Sequence, residues 1–390
     1  MQGVILKRDK EKPILQRHPW IFSGAIESYP ENYSIGDIVP IFSSQKVLLG
    51  YGYFNPEHSL AGRVISFGQE NPLSCFDKNM EKAIRFRFQQ FDLNQTNAFR
   101  LINAEGDLIP GLTIDYYNGY LVVQISTLGI EKLKDRILGN LKTMVPHIKG
   151  IYEKSLSISR EEEGLALVEK SLLGDCKEEV QILENNIPFL VSYQKGQKTG
   201  FFLDQRNMRS LVGAMAKNKR VLNCFCYTGG FSIYALKNNA QSVTSIDASE
   251  EAIEMAKRNA KINQIDPSKH ECLVEDVFKY LRNHSLDFDF VILDPPAFAK
   301  KRKDVDDACR GYKEINLQAL KKMPADSYLL TCSCSSVIDE KLFQTVIFQA
   351  ALEARRNVKI ISKHHLAFDH PINLYHPEGN YLKSLLLYVE

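Results

Sequence analysis

The sequence predicts an α/β protein. An open, doubly wound sheet is expected over residues 186–390, an all-β barrel over 1–70, and a central α+β unit over 71–185. Three observations carry this reading. Past residue 186, short apolar runs alternate with helical patterns, as parallel strands covered on both faces require. Before residue 70, short strand-like runs are punctuated by Gly and Pro, which favours a small barrel. The length, 390 residues, exceeds what one core usually spans, so two or three domains are expected.

Composition narrows the class. Hydrophobic residues make up 44% and charged residues 25%, close to soluble globular averages, which excludes disordered and collagen-like chains. Lys and Arg total 49 against 47 Asp and Glu, a net charge of +2. Bulk charge therefore cannot hold this chain on nucleic acid, although a local basic patch can. No apolar run reaches the roughly 18 residues of a membrane helix. The opening MQGVILKRDKEKP lacks the apolar core and cleavage site of a leader. A cytoplasmic location is expected, with the eight cysteines as thiols.

In the first 70 residues, strands are expected at 4–6, 37–42, 47–53 and 60–66. Asn71-Pro72 marks a boundary. A helix follows from residue 76 to about 91, with Lys78, Lys82, Arg85 and Arg87 between its apolar positions. Strands are expected at 98–103, 112–117 and 120–126, the last two joined through Asn118-Gly119, a pair that favours a type I′ hairpin. A helix over 129–144 and strands at 150–154 and 164–168 complete the central unit. The acidic segment Ser159-Arg160-Glu161-Glu162-Glu163 reads as a solvated loop. In the last domain, strands are expected at 220–225, 242–247, 271–275, 288–294, 328–333, 358–363 and 384–389. Helices between them are expected at 231–237, 249–263, 277–282, 312–322 and 340–353.

Sheets of this kind bind ligands outside the carboxyl ends of their strands. The first strand runs into Cys226-Tyr227-Thr228-Gly229-Gly230 and a helix. Glycine lets backbone approach a ligand, and a helix N-terminus offers N–H groups to a negative group. The same turn also serves as an ordinary helix entry, and it is neither a full G-x-G-x-x-G fingerprint nor a P-loop. The second strand ends at Asp247, where an acidic side chain can accept hydrogen bonds from both ribose hydroxyls. Alternatively, Asp247 or Ser249 caps the next helix. The third strand ends at Asp276, placed to reach an adenine amino group. The fourth runs into Asp294-Pro295-Pro296-Ala297-Phe298. Two prolines stiffen that backbone, and its carboxylate and carbonyls suit the amino and ring-nitrogen edge of a nucleobase. A plain Asp-Pro turn is the alternative.

This series of strand ends resembles the class I S-adenosylmethionine-dependent methyltransferases, which have a Rossmann-like domain. NAD-binding enzymes share the first two features, and D-P-P points instead to methylation of a nucleobase. The fifth strand ends in Thr331-Cys332-Ser333-Cys334-Ser335-Ser336. Strands four and five are neighbours in this fold, so the thiols would face Asp294. Carbon-5 of a pyrimidine is a poor nucleophile, and a thiolate adding at carbon-6 makes it enamine-like. A buried structural thiol is the plain alternative for either cysteine. The pairs Cys224/Cys226 and Cys332/Cys334 also raise zinc, but structural sites space cysteines two to four apart and catalytic sites add His, so no metal is expected.

Over nearly its whole length the chain resembles the RlmI-type large-subunit ribosomal RNA cytosine-C5 methyltransferases of bacteria. The matching segments include HPWIFSGAI, LLGYGYFNP, TNAFRLINAEGDLIPGLTID, KTGFFLDQR, NCFCYTGGF, the D-P-P block, ACRGYKEIN, SCS and DHPINLYHPEGNYLK. The resemblance implies a PUA RNA-binding barrel over 1–70, the central domain over 71–185 and the methyltransferase over 186–390. It implies S-adenosylmethionine as cofactor and 23S ribosomal RNA as substrate, and an exposed barrel edge would allow a homodimer. Cys334 matches the family's nucleophile. Cys332 is the alternative, because other RNA cytosine-C5 methyltransferases place theirs in a T-C-S that aligns with it. Asp294 would orient the base, and Gly229, Cys226, Asp247, Asp276 and Asp294 would surround the cofactor. Gln205 resembles a cofactor-contacting Gln of related uracil methyltransferases, or else is a helix-start residue behind Asp204.

RNA contact is also readable from charge. Lys300, Lys301, Arg302 and Lys303 follow D-P-P, with Arg310 and Lys313 nearby, and such a loop would take phosphates beside the target base. A solvated surface loop is the alternative. Arg17, His18, Trp20 and Arg63 of the barrel are weaker candidates. The target base must leave its stack for a thiol to reach carbon-6. Two rival functions share these residues. D-P-P-A-F is similar to the D-P-P-[FY] of enzymes that methylate exocyclic amines, and a non-catalytic RNA-binding assembly factor would retain the fold alone.

Overall fold

The chain divides into two units in a computed structural model, which describes residues 3–364 and 366–390. The first unit takes the chain up to Asn186 together with Val191–Leu203 and Phe368–Gly379. The second takes Ile187–Leu190, Asp204–Ala367 and Asn380–Glu390.

The first unit holds two main sheets. One has six strands in the order Trp20–Phe22, Leu60–Phe67, Leu48–Phe54, Ile38–Phe42, Val4–Leu6, Ile26–Ser28. Its alternating positions bury Val4, Leu6, Ile41, Phe54, Ala61 and Val64 together. Trp20–Phe22 and Ile26–Ser28 are strands beyond those expected, each three residues long like Val4–Leu6. The other sheet has five strands, Val168–Gly174, Gly150–Ser155, Tyr120–Ile125, Leu112–Tyr117 and Ala98–Asn103, against the helix Pro72–Gln90. Asn71 caps that helix, its Oδ1 accepting from the N–H groups of Leu73 and Ser74 at 3.1 Å each.

Three expectations in this unit are corrected. The helix over 129–144 is two helices, Leu128–Lys132 and Lys134–Met144, interrupted at Leu133. The strand at 164–168 is Val168–Gly174, antiparallel to Gly150–Ser155, because Gly164 turns at φ +76° before it. The acidic run is not a solvated loop. It forms the helix Ile158–Glu162, in which Arg160 is buried and donates to the carbonyls of Ala166 (2.7 Å) and Ile125 (3.0 Å) and to Glu131 (2.8 Å). Glu163 is also buried, accepting from Arg63 at 3.0 Å.

The second unit is built on a seven-stranded sheet: β1 Arg220–Cys224, β2 Ser242–Asp247, β3 His270–Val274, β4 Phe290–Leu293, β5 Ser327–Ser333, β6 Val358–His364 and β7 Lys383–Val389. Their order is β3-β2-β1-β4-β5-β7-β6, with β7 antiparallel to its neighbours and β1 to β5 parallel. Alternate residues serve opposite faces. Leu222, Val291, Leu293, Leu329 and Leu387 pack under the helices Val277–Asn283, Val305–Lys322 and Glu340–Ala354. Val221, Phe290, Ile292, Leu330 and Leu386 pack under Arg206–Met215 and Gly230–Lys237. Helix Arg206–Met215 precedes β1, starts directly after Gln205 and buries Met208 and Val212 fully, and Val305–Lys322 begins about two turns before its expected start. Among the described residues no helix is long and apolar enough to cross a membrane.

Candidate active site

Strands β1 to β5 run parallel, so their carboxyl ends line one edge of the sheet. At the end of β1 the backbone takes left-handed angles at Phe225 (φ 58°), Tyr227 (φ 48°) and Gly229 (φ 80°). Two non-glycine residues in that region cost free energy and persist only when their surroundings hold them. Here Cys226 N–H donates to Ile246 C=O at 2.9 Å, and Tyr227 N–H donates to Asp247 Oδ2 at 2.9 Å. Gly229 is required twice over: its φ disfavours a side chain, and an added Cβ would meet the Ala256 Cβ at 3.0 Å. The Cys226 thiol is buried, and burial drives its pKa well up, with the Asp247 carboxylate adding to the effect. Cys226 therefore offers this turn its backbone, not a reactive sulfur.

Asp247 Oδ1 accepts from Ser249 N–H at 2.9 Å, so both oxygens are fixed by backbone. The helix cap itself is Ser249, whose Oγ accepts from Ala252 N–H at 3.2 Å. Each Asp247 oxygen keeps a further lone pair. A backbone turn without a Cβ next to a fixed carboxylate fits an adenosyl group. Asp276 does cap a helix, its Oδ1 accepting from Lys279 N–H at 2.8 Å.

The ends of β4 and β5 meet. Leu293 pairs with Thr331 in register, which brings Asp294-Pro295 beside Cys332-Ser333-Cys334. Asp294 Oδ2 accepts from Gln205 Nε2 at 2.7 Å. Gln205 stands at the start of helix Arg206–Met215, but its side chain makes no cap bond. Its neighbour Asp204 accepts from the Tyr381 hydroxyl at 2.6 Å. Cys332, in β5, and Cys334, one residue beyond its end, differ sharply in surroundings. Cys332 is 0% exposed with its sulfur 4.0 Å from that of Met208, and burial, then the Asp294 carboxylate, drives its thiol pKa well up. Cys334 lies just past the strand, half-buried, with its sulfur 4.0 Å from Pro295 C=O.

Ser335 joins the two loops. Its Oγ accepts from Ala299 N–H at 3.2 Å and shares a hydrogen bond with the Tyr312 hydroxyl at 3.0 Å. Its carbonyl accepts from Lys383 Nζ at 2.6 Å. Phe298 packs its ring 4.6 Å from that of Tyr312 and 5.8 Å from that of Phe278.

Beyond D-P-P, Lys300, Lys301, Arg302 and Lys303 are exposed. Arg310 pairs with Asp307 in its own helix, and Lys313 with Glu353 at 2.7 Å. In the first unit Arg17 is exposed, its guanidinium 5.5 Å from the Phe67 ring. His18 meets Glu378 at 3.3 Å, and Trp20 Nε1 donates to Glu105 at 2.9 Å. Arg63 is a correction: its side chain is largely buried against Glu163, which spends the charge a phosphate would need. Ser335, Tyr312, Tyr381 and Lys383 were not singled out from sequence. The S-C-S-S run, the R-G-Y-K segment and the N-Y-L-K segment held them in plain sight, but nothing in a linear pattern tells a scaffold serine or a buried lysine from a surface one. Among the described residues no group of three or more His, Cys, Asp or Glu side chains comes together to hold a metal ion.

Comparison with known proteins fits this geometry. Residues 4–67 match the PUA-like domain model and residues 100–349 the S-adenosylmethionine-dependent methyltransferase model. The chain is 42% identical over 388 residues to ribosomal RNA large subunit methyltransferase I of Pseudoalteromonas atlantica, covering 98% of each chain. It is 41% identical over 391 residues to the protein of that name in Tolumonas auensis, again covering 98% of each. A solved S-adenosylmethionine-dependent methyltransferase of Streptococcus mutans superposes with a TM-score of 0.85 at 26% identity, over 99% of this chain and 100% of that one. A methyltransferase solved in complex with SAH gives the same TM-score at 27% identity over the same shares.

Proposed function

The chain belongs to the ribosomal RNA large subunit methyltransferase I family of S-adenosylmethionine-dependent methyltransferases, and we propose that it methylates carbon-5 of a cytosine in 23S ribosomal RNA through a covalent adduct with Cys334. The observation that carries this reading is the contrast between the two thiols beside Asp294. Cys332 is sealed among apolar side chains, whereas Cys334 stands past the strand end, partly open, against the D-P-P backbone.

The reading assigns each residue a task. Gly229 and the Cys226 backbone let the turn after β1 approach the cofactor, Asp247 takes the ribose, and Asp276 uses its uncommitted oxygen near the adenine. When bound, S-adenosylmethionine supplies an electrophilic methyl group. Asp294, held by Gln205, grips the amino and ring-nitrogen edge of the cytosine. The Cys334 thiolate adds to carbon-6, which raises the electron density at carbon-5. Loss of the carbon-5 proton then expels the thiolate and restores the aromatic ring. Lys300, Lys301, Arg302 and Lys303 hold phosphates flanking a base that has left its stack. Residues 1–70 serve as the RNA-binding barrel, 71–185 as the central domain and 186–390 as the methyltransferase domain.

Packing disfavours methylation of an exocyclic amine. An aromatic residue beside D-P-P would have to stack on the base, and Phe298 is engaged with Tyr312 and Phe278 instead. Incubation with S-adenosylmethionine and RNA carrying 5-fluorocytosine tests the proposal, because fluorine at carbon-5 blocks the elimination. Wild type and Cys332→Ala should trap a covalent complex, and Cys334→Ala should not. Full methylation by Cys334→Ala would overturn it.

A further inference from the structure

We propose that Lys383 is the positioning residue of the Cys334 nucleophile: its amine takes the thiol proton, and the resulting ammonium holds the thiolate ready for attack and receives it again on release. The inference rests on the reading of Cys334 as the nucleophile. The step balances. The S–H bond breaks, an N–H bond forms on Nζ, and sulfur keeps the electron pair that later makes the bond to carbon-6.

The placement follows from topology. β7 is antiparallel to β5, so its first residue, not its last, lies at the catalytic edge of the sheet. Lys383 opens β7 directly opposite Ser333, one residue before Cys334. The side chain is only 4% exposed. Lysine is almost never this buried unless paired, yet among the described residues no carboxylate lies within ion-pair reach of its Nζ. Nζ instead donates to two carbonyls, Ser335 at 2.6 Å and Tyr381 at 2.7 Å. A neutral amine has two N–H groups and an ammonium three. Two acceptors satisfy the neutral form completely, and the extra N–H of the charged form needs no rearrangement. The pocket therefore tolerates both states of one proton, as a proton acceptor requires.

The charged and titratable groups facing this amine come from three elements. Cys334 follows β5. Asp339 starts helix Glu340–Ala354, and its Oδ1 already caps that helix by accepting from Leu342 N–H at 2.7 Å. Tyr312, from helix Val305–Lys322, reaches Ser335 from the other side. Burial pushes the Lys383 pKa down to about 8, opposed first by a Cys334 thiolate and then by Asp339. Coupling between two titrating groups is reciprocal: a thiolate that favours the ammonium is favoured by it equally. The amine thus changes charge close to neutral pH, where a thiol can pass it a proton.

The test reads Cys334 itself. Full-length protein without cofactor is alkylated with iodoacetamide across pH 6 to 10, and the Cys334 peptide is followed by mass spectrometry, with the Cys75 and Cys176 peptides as internal references. In Lys383→Met the half-reaction pH of Cys334 should rise by about one unit or more, as expected for losing a nearby opposite charge, while the reference peptides stay put. Lys383→Gln gives the same result with two N–H donors retained for the carbonyls. An unchanged Cys334 profile in either folded variant overturns the proposal. A second measurement needs no lysine variant. Carbon-13 NMR of Cε-labelled lysine should show the Lys383 titration midpoint falling in Cys334→Ser, and an unmoved midpoint equally overturns the coupling. These outcomes separate from the parent reading. A wild type that never traps 5-fluorocytosine refutes the nucleophile, whereas a trapping wild type with an unmoved alkylation profile refutes only Lys383.

Discussion

Gln205→Ala should damage the handling of the base and spare the binding of the cofactor. Gln205 Nε2 donates to Asp294 Oδ2 at 2.7 Å, and Gln205 is itself buried, so the bond is shielded from water. A hydrogen bond to a charged acceptor contributes about 1.5–3 kcal/mol. If Asp294 carries that orientation into the transition state, kcat/KM for RNA falls roughly 10- to 150-fold. The assay is methyl transfer to ribosomal RNA with each substrate varied in turn at saturating concentration of the other. The expected pattern is a lowered kcat/KM for RNA with little change in KM for S-adenosylmethionine. Gln205→Glu sharpens the comparison by placing a second carboxylate at the same position. Two carboxylates in contact cannot both ionise freely, so one holds a proton at raised pKa. The introduced carboxyl group, once protonated, can donate to Asp294 as the amide does, so this variant should regain activity as pH falls. A rise confined to KM for S-adenosylmethionine, with RNA kinetics intact, would refute the reasoning and return Gln205 to the cofactor.

Other perturbations test the scaffold and the RNA face. Ser335→Ala leaves the buried Ala299 N–H without its acceptor, which should cost about 1–3 kcal/mol in chemical denaturation. The Ser335 carbonyl remains for Lys383, so the alkylation profile of Cys334 should move far less than in Lys383→Met. Burial pushes His270 down to about 4, and its Nε2 meets Ser245 Oγ at 2.8 Å within a buried Asn223-Ser232-Ser245 chain. The unfolded chain takes up this proton first, so the contribution of neutral His270 is complete above about pH 6.5 and is lost as pH falls towards 4, amounting to roughly 3 kcal/mol. Denaturation at pH 7 and pH 4.5 should show that loss in wild type, and His270→Gln should remove most of the difference between the two. Lys300→Ala with Lys301→Ala should weaken RNA binding and flatten its dependence on log salt by about two contacts. Arg63→Ala should leave that slope unchanged and lower stability, because it removes the cation paired with the buried Glu163 carboxylate and leaves it the neutral donors of Asn55 and the Leu128 N–H.

Legibility from sequence depended on how local each signal is. The parallel strands of the second unit are runs long enough to read, and their ends, Asp247, Val274 and Leu293, lie within a residue of those expected, with Asp276 two residues past β3 and Asp294 directly after β4. Helix Arg206–Met215 carries a clear helical period in Met208, Leu211, Val212 and Met215, whereas the strands Trp20–Phe22 and Ile26–Ser28 escape because their stability comes from distant packing partners. The acidic run through Glu163 misleads for the same reason. Charge counts describe a solvated segment, and here Arg160 and Glu163 are buried against partners that lie about 30 to 100 residues away in sequence. The choice between Cys332 and Cys334 was equally hidden. Both close a strand in a polar run, and only the packing of Met208 against one of them separates a sealed thiol from an accessible one.

Lys383 shows the limit most clearly. A reading that follows the carboxyl ends of parallel strands collects Gly229, Asp247, Asp276, Asp294 and Cys334 in order and then stops. The last strand is antiparallel, so its contribution to the same edge comes from its first residue. A linear search for strand-end residues would look at Val389 and find nothing, while the residue that meets the site lies at the other end of the strand. Antiparallel insertion beside β5 is therefore more than a way to extend the sheet. It delivers a side chain to the edge that holds the ends of the parallel strands from the opposite direction, with its backbone already paired along β5 and its amine anchored on the Ser335 carbonyl, next to Cys334. An amine supplied this way is held by the sheet and not by a loop, which suits the proton exchange with Cys334 proposed above.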